Sequence, residues 1–449
     1  MGLIVPNIRR FSRTIRRMPG NMLTNIFRSR LFLFLIILVL MGILVFQYLP
    51  SSNGLNLVVE HPTIKRLPAS LNLSRNVNLY KDELAKEDAH NLTVNVDLAD
   101  QTISPMRYIV TESLDTCNKK VDVSFLKVHK AGSTTVMNIF IRFALSHKLN
   151  LVLPAKSSGF GFNYLGYGKT VSKENIVPLP KTEDHYNILC NHVVYNKNAF
   201  RSILPNDTVY VGILREPVSH FSSAGFYYGF VKALNDASVK ISDFLSNPKK
   251  YNFGTYYVNN RMSFDLGIPT DRFHDNQFVD DYIQELDNDY SLMMIMEHFH
   301  ESLVLLRRTL CWSTKDILYV PLNSRGQKTE FDLNEKDLEN LRKWNSADFK
   351  LYNHFYNVFQ RKIESQGDDF IQEVQSFKAI QESVKLYCLI ERKKRGKGSD
   401  PFLTIEETNW SDGFLVTDED CDLMIEHELN TMKRLIDQAW VKYKASLDG

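Results

Sequence analysis

No acidic side chain occurs in residues 1–30, and residues 31–49 carry no charge of either sign. No cysteine precedes Cys117 and no C-x-x-C spacing occurs, which argues against a structural zinc site. Basic residues outnumber acidic ones by only two, 54 to 52. Seven of the basic residues are arginines in the first thirty positions: Arg9, Arg10, Arg13, Arg16, Arg17, Arg28 and Arg30. The remainder of the chain is therefore net negative, and nucleic-acid binding by the body of the protein is not indicated. No internal repeat occurs, and an ordinary hydrophobic content of 44% over 449 residues leaves room for one large or several average domains.

The uncharged run reads as a membrane span, because nineteen helical residues reach roughly 28 Å, close to the thickness of the hydrocarbon layer. Positive charge before it and none just after it predicts a cytoplasmic N-terminus. A cleaved signal peptide would have a shorter apolar run and a small-x-small cleavage site. The expected organisation is a cytoplasmic tail at 1–30, a signal-anchor helix at 31–49, a luminal stem at 50–118 and a folded domain at 119–445. The sequons at Asn72, Asn91, Asn206 and Asn409 and all five cysteines lie beyond the span, on the side where glycosylation and disulfides occur. An odd cysteine count leaves at least one thiol unpaired within a monomer. Cys388 and Cys421 are the preferred pair, and Cys190, within an apolar run, is expected to be a buried thiol.

From residue 121 short apolar runs alternate with helical patterns. Strands are expected at 121–128, 149–153, 186–190, 208–214 and 317–320, and helices at 135–147, from Pro217, and at 301–310, 333–344 and 423–443. The alternation predicts an α/β domain with a largely parallel sheet, whose ligands sit at the carboxyl ends of the strands. The basic run 392–397 is expected to be a solvated loop.

Two strand ends carry chemistry. The first strand runs into Lys130-Ala-Gly-Ser-Thr-Thr135 and then an amphipathic helix. Unpaired amides and the helix dipole at such a terminus attract a phosphate. Gly132 permits close backbone approach, Ser133, Thr134 and Thr135 add hydroxyls, and Lys130 adds a full charge. An ordinary capped strand–turn–helix is the plainer alternative. At this turn the lysine precedes the only glycine, against the order of a Walker P-loop, and no G-x-G-x-x-G is present. The second strand ends in Arg215-Glu-Pro217, with Ser219, Ser222 and Ser223 following on a helix. Arg215 and Ser223, eight residues apart, return to one side and can grip a second phosphate. An arginine merely ending a strand before an N-terminal proline is the plainer alternative here.

These residues resemble a known family. Lys127-Val-His-Lys-Ala-Gly-Ser-Thr-Thr135 is similar to the 5′-phosphosulfate loop of Golgi sulfotransferases, and Arg215-Glu-Pro-Val-Ser-His-Phe-Ser-Ser223 to their 3′-phosphate element. Ile188-Leu-Cys-Asn-His192, Phe264-Asp-Leu-Gly267, Cys311-Trp312 and Leu322-Asn-Ser-Arg325 resemble the galactose 3-O-sulfotransferases, a family that includes galactosylceramide sulfotransferase. The likeness covers roughly residues 120–360.

It implies a P-loop-like sulfotransferase fold in the Golgi membrane, single-pass and type II, with a luminal catalytic domain. It implies the donor 3′-phosphoadenosine 5′-phosphosulfate, bound by Lys130, Ala131, Gly132, Ser133, Thr134 and Thr135 at one end and by Arg215 and Ser223 at the other. The acceptor would be a galactose hydroxyl of a glycolipid such as galactosylceramide or of a glycoprotein glycan, and no metal is called for. A homodimer is compatible with this reading. A hydroxyl acceptor needs a general base, worth about 10²–10⁴ in rate. His192 is favoured for that role, and His129 is the competitor or a contact to the transferring group.

Other conspicuous residues get plainer readings. Phe226, Tyr227 and Tyr228 are expected in the core more readily than on a ligand, and Trp312 and Trp344 are expected in the core. Arg325 and Arg261 are weak candidates for donor closure and acceptor binding. Two other functions stay open, a luminal ATP-dependent kinase and a non-catalytic surface glycoprotein on the same scaffold.

Overall fold

The computed structural model describes residues 117–155, 164–165, 168–321, 330–394 and 401–448. The tail, the anchor, the stem up to residue 116, the sequons at Asn72 and Asn91, and Arg325 lie outside them.

Four parallel strands form the central sheet: β1 (Val123–Phe125), β2 (Ile188–Leu189), β3 (Val209–Leu214) and β4 (Leu292–Ile295), in the order β2-β1-β3-β4. Val123 pairs with both Ile188 and Val209, and Val211 with Leu292. Nearly every strand residue is buried, as expected of parallel strands covered on both faces. Because the chain visits β2 on one side of β1 and then β3 on the other, the strand order reverses between β1 and β3. A crevice opens beyond the carboxyl ends at such a switch point.

Helix α1 (Ser133–Ser146) returns from β1 and lays Phe140 on Phe125, with ring centroids 5.1 Å apart. Its far side takes Trp312, stacked on Phe143 at 3.6 Å, so Trp312 is core. One short helix, α2 (Lys197–Arg201), precedes β3, and α3 (Pro217–Tyr227) follows it directly. Next come α4 (Phe230–Asp236), α5 (Ile241–Ser246), α6 (Arg261–Asp265) and α7 (Asn276–Asp289). After β4 the chain builds α8 (Phe299–Leu310), α9 (Glu335–Trp344), α10 (Ser346–Glu364) and α11 (Phe370–Leu386); α8 and α10 pack on β4. A separate apolar cluster, including Phe221, Phe230, Phe244 and Leu341, lies under α3 to α5 and α9, with half-buried Trp344 against it.

The C-terminal part differs from expectation. Residues 402–405 and 414–417 form an antiparallel hairpin, β5 (Phe402–Ile405) and β6 (Phe414–Thr417). The long helix expected at 423–443 is two, α12 (Asp418–Ile425) and α13 (Glu428–Asp448), because Glu426 adopts an extended ψ of 132° between them. Residues 392–394 continue the helical path rather than a loop, and Arg392 is tied down by the Cys388 carbonyl at 2.8 Å and Asp422 at 2.6 Å.

Two expected strands are absent as such. Residues 149–153 touch β2 through a single bridge at Leu151. Residues 315–317 form a 3₁₀ turn, and the Tyr319 backbone after it is bonded on both its N–H and its carbonyl by the Gln381 side-chain amide, which supplies what a neighbouring strand would. Cys388 is bonded to Cys421, and Cys117 to Cys311. Cys190 is a free, buried thiol.

Candidate active site

The loop after β1 uses two left-handed residues to turn into α1. Lys130 has φ 57° and Gly132 φ 72°. Only glycine suits the second position, where a Cβ would stand 2.3 Å from Met296 Sδ. Gly132 is also the N-cap residue of α1, which has no side-chain cap and no acid in its first turn. Its first-turn amides and dipole therefore point at the crevice beyond the sheet. Ala131 is fully buried beneath the loop. Ser133 and Thr135 are buried as well, and the Ser133 hydroxyl donates back to the Val128 carbonyl at 2.5 Å, stiffening the turn.

The loop after β3 stands beside it. Arg215 donates through Nη1 to the Lys130 carbonyl at 3.3 Å, so the two proposed anion grips are adjacent across the switch point. Burial pulls the Arg215 guanidinium below its usual range, with Glu297, Glu216 and Glu330 opposing. Glu216 caps α3 by accepting from the Val218 and Ser219 amides at 2.9 and 2.7 Å, which places Pro217 at the first helical position. Arg215 precedes the helix, in which Ser219, Ser223 and Tyr227 recur every four residues along one face. Ser223 is half-buried on it, and Tyr227, 55% exposed rather than core, receives the Lys130 ammonium 3.7 Å above its ring.

Deeper in the crevice, His129 after β1 stacks on His192 after β2, with ring centroids 3.9 Å apart. His192 donates from Nδ1 to the Lys127 carbonyl at 2.7 Å, which leaves Nε2 as the basic nitrogen, and that nitrogen accepts from Lys127 Nζ at 3.1 Å. The Lys127 ammonium, 2% exposed, also donates to Thr134 Oγ1 at 3.2 Å and pairs with Glu428 at 3.1 Å. His129 Nδ1 meets Asp265 Oδ2 at 2.7 Å and Arg261 Nη2 at 3.0 Å, and its Nε2 faces the Tyr164 hydroxyl at 3.0 Å. Asp265 also accepts the His129 amide at 2.9 Å and pairs with Arg261 at 2.8 Å.

Arg261 is thus an internal partner of Asp265, 2% exposed and flanked by Tyr256, Tyr257 and Phe264. Tyr228, half-buried, stacks on Tyr257 at 3.9 Å.

Burial is the main electrostatic influence. It pushes both His129 and His192 well below the usual histidine range, helped by Arg261 and Lys127 for the first and by His129 and Lys127 for the second. His220, whose Nε2 donates to the His129 carbonyl at 2.8 Å, is brought down to about 4 for the same reason. Burial raises Asp265 in spite of Arg261. The imidazole pair is therefore neutral near pH 7, the state a proton acceptor requires.

Lys130 to Thr135 and Arg215 come together, as do His129 and His192; Ser223 lies two turns into α3 and is not brought into hydrogen-bond contact with them. Lys127 and Asp265 are the site residues that sequence reasoning did not single out. Lys127 carried a signal, a lysine inside an otherwise apolar strand end, where burial requires partners. Asp265 gave none beyond its place in Phe264-Asp-Leu-Gly267. Among the described residues no group of three or more His, Cys, Asp or Glu side chains is arranged to hold a metal.

An uncapped helix terminus and an arginine flank the switch point of a parallel sheet in an α/β protein. The chain belongs to the galactose-3-O-sulfotransferase family, whose model matches residues 21–397. It is 33% identical over 285 residues to galactose-3-O-sulfotransferase 2 of Sus scrofa, covering 62% of this chain and 71% of the relative. It is 30% identical over 281 residues to galactosylceramide sulfotransferase of Homo sapiens, covering 61% and 65%. Galactose-3-O-sulfotransferase 3 of Bos taurus is 34% identical over 258 residues, covering 56% and 59%.

Proposed function

We propose that this chain transfers a sulfuryl group from 3′-phosphoadenosine 5′-phosphosulfate to the 3-hydroxyl of a galactose, in a glycolipid such as galactosylceramide or in a glycoprotein glycan. The observation that carries the reading is the contact between the two anion grips, Arg215 Nη1 on the Lys130 carbonyl, beside the stacked histidines. A donor with phosphates at both ends of its nucleoside suits two grips; family membership supplies the sulfuryl group and the galactose.

In this reading the acceptor oxygen bonds to sulfur as the bond from sulfur to the 5′-phosphate oxygen breaks. The acceptor proton passes to His192 Nε2, and the 3′,5′-bisphosphate leaves. Lys127, which shares its protons between His192 and Thr134 of the phosphate loop, must release Nε2 for that transfer and is placed to donate toward the leaving oxygen instead. The α1 amides and Lys130 stabilise the charge that develops there. Arg215 and Ser223 hold the 3′-phosphate. The catalytic domain is luminal, behind a Golgi signal anchor; two disulfides and exposed sequon asparagines at 206 and 409 support that side of the membrane.

The test uses the full chain in detergent. Adenosine 3′,5′-bisphosphate should raise its melting temperature and ATP should not, whereas Lys130→Ala should lose the shift. Radiolabelled sulfate should reach galactosylceramide, lactosylceramide or N-acetyllactosamine glycans, and His192→Ala should lower the rate at least about 100-fold. Protection by ATP alone would favour a kinase, and no shift with either nucleotide would sink the proposal.

A further inference from the structure

Glu428 is the first residue of α13, thirty-one positions past the end of the family match at residue 397. Its carboxylate nevertheless reaches the floor of the crevice. Oε2 stands 3.1 Å from Lys127 Nζ, and the Thr134 hydroxyl bonds to the same carboxylate. Lys127 thus pairs by charge with Glu428 and holds hydrogen bonds to Thr134 Oγ1 and His192 Nε2.

The segment that delivers Glu428 is fixed to the domain at several points. Cys421 is bonded to Cys388, and the Leu423 carbonyl accepts from Asn138 of α1 at 2.8 Å. Trp440 of α13 donates to the Ala155 carbonyl at 3.2 Å. A carboxylate beside a phosphate loop works against anion binding, since like charges repel. Its presence there needs a compensating role, and the geometry supplies one.

We propose that Glu428 is a positioning residue for sulfuryl transfer, an inference that rests on the reading of the site given above. The C-terminal helix holds the Lys127 ammonium so that one N–H meets His192 Nε2 and another meets the phosphate loop. Lys127 then couples the base to the leaving group through one buried cation. Without the carboxylate that cation loses its counter-charge and its orientation, while the anion cradle of α1, Lys130 and Arg215 stays in place.

The experiment compares the full chain with Glu428→Gln and Glu428→Asp, measuring sulfate transfer and adenosine 3′,5′-bisphosphate affinity. Glu428→Gln keeps the shape and removes the charge. It should lower kcat at least about tenfold while bisphosphate affinity holds or tightens, by up to about tenfold. Glu428→Asp keeps the charge on a shorter arm and should fall between, and it is the deciding variant should the glutamine form not fold. A packing role would instead weaken affinity, melting temperature and kcat together, with no recovery in the aspartate form. That pattern, or a folded Glu428→Gln with wild-type kcat, overturns the proposal. A wild-type chain that neither binds the bisphosphate nor transfers sulfate is a different result, which sinks the sulfotransferase reading itself.

Discussion

His129 and His192, from the ends of two neighbouring strands, stack with their ring planes 19° from parallel. Asp265 and Arg261 meet His129 at Nδ1, whereas the Lys127 carbonyl takes the Nδ1 proton of His192 and leaves that ring Nε2 as its basic nitrogen. Two charged imidazoles cannot share that spacing in a buried site without a large penalty. The pair can therefore accept one proton at a time, and the neighbours at Nδ1 decide which ring takes it.

Asp265 is the neighbour with most to lose. Replacing it with asparagine removes the charge opposite Arg261 and places an amide against the His129 amide and ring. Breaking a buried ion pair on one side costs about 3–5 kcal/mol. We expect Asp265→Asn to unfold at lower denaturant by about that amount and to lose at least about 100-fold in transfer rate. A folded, fully active variant would show that the network does not orient the pair.

Gly132 tests the turn after β1 apart from the histidines. Alanine there meets both a left-handed φ of 72° and Met296 Sδ at 2.3 Å from its Cβ. The backbone conformation alone costs about 1 kcal/mol for a residue with a Cβ, and the clash adds to it. Gly132→Ala should be destabilised by about 1–3 kcal/mol, and Met296→Ala in the same chain should recover only part. Full recovery would mean that the contact, and not the backbone, makes glycine necessary.

The β1 and β3 strands and the turns after them were legible because apolar runs ending in Lys130-Ala-Gly-Ser and Arg215-Glu-Pro advertise strand ends followed by helices. β4 was not, since Leu292–Ile295 is a four-residue apolar run that periodicity cannot tell from buried helix. The strand expected at 317–320 fails for a related reason: its apolar residues are buried, but a glutamine side chain takes over the ladder bonds. Asp265 and Glu428 lie 136 and 301 positions from the histidine and lysine they hold, and no local pattern marks such partners.

The two disulfides close loops of different length, spanning 194 residues for Cys117–Cys311 and 33 for Cys388–Cys421. Chain-entropy reasoning assigns up to about 5 kcal/mol to the first and about 4 to the second. Paired alanine substitutions should therefore lower stability in that order, as read by denaturant midpoints under non-reducing conditions. The reverse order would show that packing around buried Cys388 and Cys421, rather than loop length, sets their worth.

Acid should weaken the fold through the buried histidines at the ends of β1 and β2 and on α3. His129, His192 and His220 have folded pKa values below that of an unfolded histidine, about 6.5, so their stabilisation is complete above that pH and declines as pH falls below it. Asp265 and Asp348 act oppositely. Burial raises both, so the folded chain binds their protons first, and Asp348, raised to about 6, regains stability between about pH 6 and 4. Histidine uptake by the unfolded chain therefore meets least opposition just above pH 6. Stability should drop between pH 7.5 and 6, by at most about 1.4 kcal/mol per pH unit for each proton taken up on unfolding. Denaturant titrations at the two pH values measure it, and a chain more stable at pH 6 would mean that these imidazoles are not buried in the neutral form.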